Sequence, residues 1–184
     1  MDREIELFIR DYLKEVRADN AAIFAGAGLS APAGFVNWRE LLRPIADELN
    51  LDIEREHDLV AIAQYHCNEN RGNRHVLNQR LIDQLTKDAV PTQNHRILAR
   101  LPISTYWTTN YDNLIEASLR NAGKIPDVKY TTEHLATTKA RRDAVVYKMH
   151  GDIENAHDTV LIKDDYEHYH LRRGAFINAL SGDL

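Results

Sequence analysis

Cysteine is almost absent from this sequence. Cys67 is the only one in 184 residues, so neither an intrachain disulfide nor a zinc site built from several thiolates can form within it. Long apolar runs are lacking too: none approaches the roughly 20 residues needed to span a bilayer. The opening Met-Asp-Arg-Glu-Ile-Glu has no basic-then-apolar order of a secretion signal, which predicts an intracellular, cytoplasmic protein. Nor is there a surplus of positive charge. The formal net charge is −5 with 28% charged residues, a balance that argues against autonomous nucleic-acid binding through phosphate contacts. No internal repeat, low-complexity tract or linker interrupts the chain, and 43% hydrophobic residues suffice for one domain-sized core.

What is present is an alternation of helical and extended patterns. Ile5, Phe8, Ile9, Tyr12, Leu13 and Val16 recur at helical spacing, predicting an amphipathic helix over 2–17 packed on the core. Ala21 to Ala25 reads as a short buried strand running into Gly26-Ala27-Gly28. Helices are expected at 38–49, kinked or divided by Pro44, then at about 57–69 and 74–87, and at 95–101 before Pro102. Ile103 to Thr109 and Ala144 to Met149, rich in β-branched and aromatic residues, predict two more strands. A helix over 112–121 has Gly123 as its C-cap glycine. Val160 to Ile162 suggests a fourth strand ahead of a helix over 164–180. The pattern is that of an α/β protein: a Rossmann-like, mainly parallel sheet with helices on both faces and a helical insertion at about 40–100, without a zinc-ribbon module.

Three polar segments each follow a predicted strand, where ligands bind in open parallel sheets. Gly26-Ala27-Gly28-Leu29-Ser30-Ala31 fits the loose G-x-G-x-x-G/A pattern. Its glycines would bring backbone N–H groups close to a pyrophosphate, and Ser30 would add a hydrogen bond. The plainer reading is a turn that needs glycine only for its backbone angles. Thr108-Thr109-Asn110-Tyr111-Asp112 carries more polar groups than a strand-to-helix transition uses, although Asp112 alone would serve as an N-cap. His150-Gly151 places an imidazole at the same sheet edge; a lone histidine is more often structural than catalytic. His66-Cys67 and His168 with His170 lack the spacing of a metal site, and Tyr166, His168, Tyr169 and His170 read as surface and packing residues.

In this order, Gly-Ala-Gly-Leu-Ser, Gly34-Phe35-Val36-Asn37-Trp38-Arg39, Thr-Asn-Tyr-Asp and His-Gly resemble the sirtuin superfamily over roughly residues 20–165. The resemblance implies NAD as ligand. By position, Gly26, Ala27, Gly28 and Ser30 would cradle its phosphates, Trp38 and Arg39 would lie over it, and Thr109, Asn110 and Asp112 would flank the nicotinamide ribose. His150 would be the general base. Val36 and Asn37 stand where deacylase sirtuins have Pro-Asp, and Thr109 replaces a Gln. The four-cysteine zinc module that shapes the acyl-lysine cleft of deacylases has no counterpart here. These departures resemble divergent bacterial sirtuin-like domains of antiphage defence systems, which deplete NAD.

The resemblance therefore implies a NAD+ hydrolase giving ADP-ribose and nicotinamide with Asn110, Asp112 and His150 as catalytic residues, NAD as substrate and no metal. It also implies a homo-oligomer, with a HerA-type ATPase or another defence-system sensor as companion. Two other readings stay open: a non-catalytic module sensing NAD or ADP-ribose, and a deacylase or ADP-ribosyltransferase. Residues 1–184 are expected to form a single sirtuin-like domain that is C-terminally incomplete, because such sheets normally continue with a further glycine-serine strand.

Overall fold

Four short apolar runs form the sheet around which the chain is built. A computed structural model describes residues 2–85 and 89–184. Strands β1 (Ala22–Ala25), β2 (Thr105–Thr108), β3 (Pro126–Lys129) and β4 (Ala144–Lys148) lie in the order β1-β2-β4-β3, and every pairing is parallel. The helices are α1 (Arg3–Arg17), α2 (Ala27–Ser30), α3 (Trp38–Glu48), α4 (Leu59–Glu69), α5 (His75–Leu85), α6 (Gln93–Arg100), α7 (Leu114–Asn121), α8 (Thr132–Leu135), α9 (Lys163–Glu167), α10 (Tyr169–Arg172) and α11 (Gly174–Asp183). Two 3-10 turns, Ala31–Ala33 and Ile153–Asp158, complete the described elements. No helix among the described residues is long and apolar enough to cross a membrane.

Alternation along the strands sorts side chains between two faces. Ala25, Tyr106, Ala144 and Val146 point to one side, where they pack with Ala99 of α6 and Ile115 and Leu119 of α7. On the other side Trp107 stacks on Tyr147 with ring centroids 4.1 Å apart, and its Nε1 donates to Asp183 of α11. A second core gathers Leu42 and Ile45 of α3, Ile62 and Cys67 of α4, and Leu77 and Leu81 of α5 with Leu161 and Ile162. This helical layer stands apart from the sheet core.

Four expectations are corrected. The apolar stripe of α1 does not sink into the core: only Val16 is buried, while Phe8 is 68% exposed. Of the two outcomes expected at Pro44, division does not occur: Pro44 lies inside α3, where burial of Leu42, Ile45 and Ala46 holds the helix through the proline. Val160 to Ile162 is not a strand, because its amides bond to the His150 carbonyl and the Asp165 carboxylate rather than to a ladder. The fourth strand is β3, whose Pro126 occupies the first position of an edge strand, where no ladder N–H is required. The single helix expected over 164–180 is broken at His168 and Arg173 into α9, α10 and α11. Positions 86 and 87, the end of the helix expected over 74–87, lie outside the described residues.

Candidate active site

The loops after β1, β2 and β4 open at the carboxyl ends of three neighbouring strands and border one cavity of about 450 Å3. That is within the roughly 300–1,000 Å3 of small-molecule sites. Ala27, Gly28, Ser30, Trp38, Thr109, Asn110, Asp112 and His150 all line it. Leu41, Leu81 and Leu85 supply an apolar wall from the helical layer, joined by Phe35 and Val36 from the segment ahead of α3. Gly26 and Arg39 are not lining residues. The Gly26 carbonyl instead anchors Asn110, and the Arg39 guanidinium donates to the carbonyls of Ile53 and Glu56, bracing the loop beyond α3.

Turn geometry does not account for the glycine loop. Gly26 is extended, with φ −116°, and Gly28 falls within α2 without a positive φ. A Cβ at Gly28 would meet no atom within 4 Å. Neither backbone strain nor packing calls for glycine there, so the available explanation is the open space above it. The Leu29 amide donates to the Gly26 carbonyl at 3.0 Å, whereas those of Ala27 and Gly28 have no intrahelical acceptor by position and remain as donors. Gly34, by contrast, has φ +94° and needs the freedom of glycine to turn the chain toward Trp38.

Asn110 is 8% exposed and ties two loops together. Its Nδ2 donates to the Gly26 carbonyl (3.0 Å) and to Ser30 Oγ (2.9 Å). Both amide hydrogens are thus occupied, and Oδ1 is the part that can meet a ligand, as an acceptor. Ser30, by accepting from Asn110, keeps its own hydroxyl proton to donate. Asp112 is not the N-cap of α7, a position held by Asn113; its Oδ1 accepts from the Leu114 amide at 3.0 Å, which uses one oxygen only.

His150 follows β4 directly. Its partial burial, with the nearby Arg173 guanidinium adding repulsion, lowers its pKa to about 4, and the imidazole is neutral at physiological pH. Tyr111, Tyr166 and Tyr169 surround it with ring centroids 6.5, 5.4 and 6.1 Å away. Gly151 next to it has φ +94°, and a Cβ there would come within 3.1 Å of the Asp158 carbonyl oxygen. This glycine is required on both counts.

Lys148, the last residue of β4, is fully buried beneath the site. Its Nζ donates to the Asp152 carboxylate and to the carbonyls of Tyr111 (2.9 Å) and Asp112 (2.7 Å), with Glu116 of α7 at 3.2 Å. Burial opposes its charge, but Glu116, Asp152 and Asp112 outweigh that and raise its pKa. Burial raises the pKa of Glu116 against the pull of Lys148. One ammonium thus fixes the 110–112 loop and the residues flanking His150. Sequence reasoning marked neither Lys148 nor Tyr166 and Tyr169 as site residues, and took in Tyr111 only as part of the 108–112 run. The available signal for Lys148 was a charge in phase with Ala144 and Val146 on a helix-covered face.

The fold and the cavity define a Rossmann-type α/β domain with its site at the strand ends. Residues 104–184 match the family described as SIR2-like domain. Among curated proteins it is 60% identical over 184 residues to NAD(+) hydrolase ThsA of Bacillus cereus (strain MSX-D12), and 58% identical over 183 residues to NAD(+) hydrolase ThsA of Acinetobacter baumannii (strain 532279). Both matches take in 100% of this chain but 39% and 38% of the relatives. Defense-associated sirtuin 2 of Bacillus subtilis is 27% identical over 182 residues, covering 92% of this chain and 17% of that protein. The chain thus spans about two fifths of the ThsA proteins it matches. Among the described residues no group of three or more His, Cys, Asp or Glu could hold a metal ion.

Proposed function

We propose that this chain binds NAD and hydrolyses its nicotinamide–ribose bond, releasing nicotinamide and ADP-ribose, in bacterial defence against phage. The observation that carries the reading is the convergence of Ser30, Asn110, Asp112 and His150 on one cavity at adjacent strand ends. The names of the relatives point to the same reaction.

The chemistry suits the groups available. Nicotinamide leaves from a cationic state, so bond rupture needs positioning and charge stabilisation more than an acid. The amides of Ala27 and Gly28, with the Ser30 hydroxyl, face the pyrophosphate, while Trp38 walls the cavity beside it. Asn110 Oδ1 accepts from a ribose hydroxyl or the attacking water. Asp112 keeps Oδ2 to accept from the carboxamide of nicotinamide, with Thr109 beside it. His150, neutral and weakly basic, takes the proton as water adds. Gly26 and Arg39 act at one remove, through Asn110 and the loop beyond α3. Residues 1–184 act as one sirtuin-like unit, with α3 to α6 as its insertion.

Purified protein incubated with NAD should release nicotinamide and ADP-ribose without an added acceptor. His150→Ala and Asn110→Ala should each lose about 100-fold or more in kcat while keeping the circular dichroism of the parent. Binding of NAD with no turnover, alone and within the full-length protein, would favour the sensing module instead. Release that depends on an added acceptor would favour a deacylase or ADP-ribosyltransferase. We further propose a cytoplasmic homo-oligomer, with the outward stripe of α1 as a candidate contact between copies. On the resemblance alone, a HerA-type ATPase or another defence sensor is its companion, to be sought by co-purification.

A further inference from the structure

Of the three tyrosines around His150, two are held by their own hydroxyls. Tyr111 Oη donates to the Val160 carbonyl at 2.7 Å and Tyr169 Oη to the Met149 carbonyl at 2.9 Å. Tyr166 differs. Its ring has the shortest centroid distance of the three to His150, 5.4 Å at an interplanar angle of 81°, and it lines the cavity. Its hydroxyl makes no hydrogen bond among the described residues.

What places Tyr166 is the preceding residue. Asp165 is 5% exposed; its Oδ1 accepts from Arg74 (3.1 Å) and Arg172 (2.9 Å), and its Oδ2 from the amides of Leu161 (2.9 Å) and Ile162 (3.0 Å). Arg74 also donates to the Thr159 carbonyl at 2.8 Å, and the Asp164 amide donates to Gln64 of α4 at 2.9 Å. A helix of five residues is thereby locked to the helical layer on one side and to the chain after His150 on the other.

We propose that Tyr166 is a positioning residue for His150: its ring, held by the Asp165 clamp, fixes the orientation of the imidazole and keeps water from one of its sides. This rests on the reading of His150 as the base, but the contact itself is testable without turnover. The groups facing the imidazole are Tyr111 from the loop after β2, Tyr166 of α9, Tyr169 of α10 and the Arg173 guanidinium ahead of α11. On its own segment Lys148 and Asp152 are engaged with each other. Removing the ring admits water and leaves those charges in place.

The experiment compares Tyr166→Phe, Tyr166→Leu and Tyr166→Ala with the parent in the full chain. The His150 titration is followed by imidazole NMR, assigned against His150→Ala, and kcat and KM for NAD are measured across pH. Tyr166→Phe should match the parent in both. Tyr166→Ala and Tyr166→Leu should move the His150 midpoint up from about 4 toward 6.5. They should also lower kcat about tenfold or more with little change in KM, as loss of alignment does. An unmoved midpoint in both ring-less variants, or a Phe variant behaving like Ala, overturns the proposal. Absence of NAD turnover in the parent would sink the hydrolase reading while the titration still decides this one.

Discussion

Gly151 and Gly28 sit in two of the loops that border the cavity, and their surroundings predict opposite phenotypes. Gly151→Ala forces a side chain into φ +94° and against the Asp158 carbonyl, which should cost about 1–3 kcal/mol and lower Tm by several degrees in a thermal melt. Gly28→Ala meets open space and should leave Tm unchanged while weakening NAD binding measured by calorimetry. His150 adds a pH signature. Its folded pKa lies below the ordinary 6.5, at about 4, so the folded protein binds fewer protons than the unfolded chain between those values. Its contribution to stability is complete above 6.5 and is lost as pH falls through about 4. Turnover should likewise hold from neutrality downward and fail only near pH 4. A midpoint near 6.5 in the kcat/KM profile would contradict this environment for His150.

At the level of elements, the end of β4 matters more than its length suggests, because Lys148 bonds to carbonyls of the 110–112 loop and to the acids on either side. Lys148→Met would leave Asp152 and Glu116 buried without a cation, a loss of about 3–5 kcal/mol readable as a lower denaturant midpoint. The three strands that bear the site were legible because their runs of Ala, Ile, Val, Tyr and Trp end abruptly in polar or glycine residues. β3 was not. Its Pro126, Asp127 and Lys129 look like loop, and only the fold reveals that Asp127 and Lys129 are buried as an ion pair 2.9 Å apart. Val160 to Ile162 misled in the opposite way, being buried and apolar yet bonded, through the Leu161 and Ile162 amides, to a side-chain carboxylate. Tyr166 was set aside because nothing local marks it; its meaning lies in His150, which α9 reaches only through tertiary packing. Similarly, no pattern shows that both amide hydrogens of Asn110 are taken by the first loop.

For the molecule as a whole, the helical layer and the sheet keep separate cores, and the cavity lies where they meet. α1 stays largely outside both, with Phe8 stacked on Tyr12 at 6.0 Å in the open. If that stripe joins copies of the chain, as proposed, Phe8→Glu combined with Leu13→Glu should lower the mass measured by light scattering without changing the melt. An unchanged mass would remove α1 from the interface.

The two tryptophans of this sequence fall on either side of the same boundary. Trp107 is sealed in the sheet, stacked on Tyr147 and bonded to Asp183, whereas Trp38 forms part of the cavity wall. Their emission is therefore separable by location. In Trp38→Phe, fluorescence would follow only the integrity of the sheet through denaturation; in Trp107→Phe, it would follow entry of a nucleotide into the cavity. The protein has, in effect, a built-in optical probe for each of the two events that its function would link.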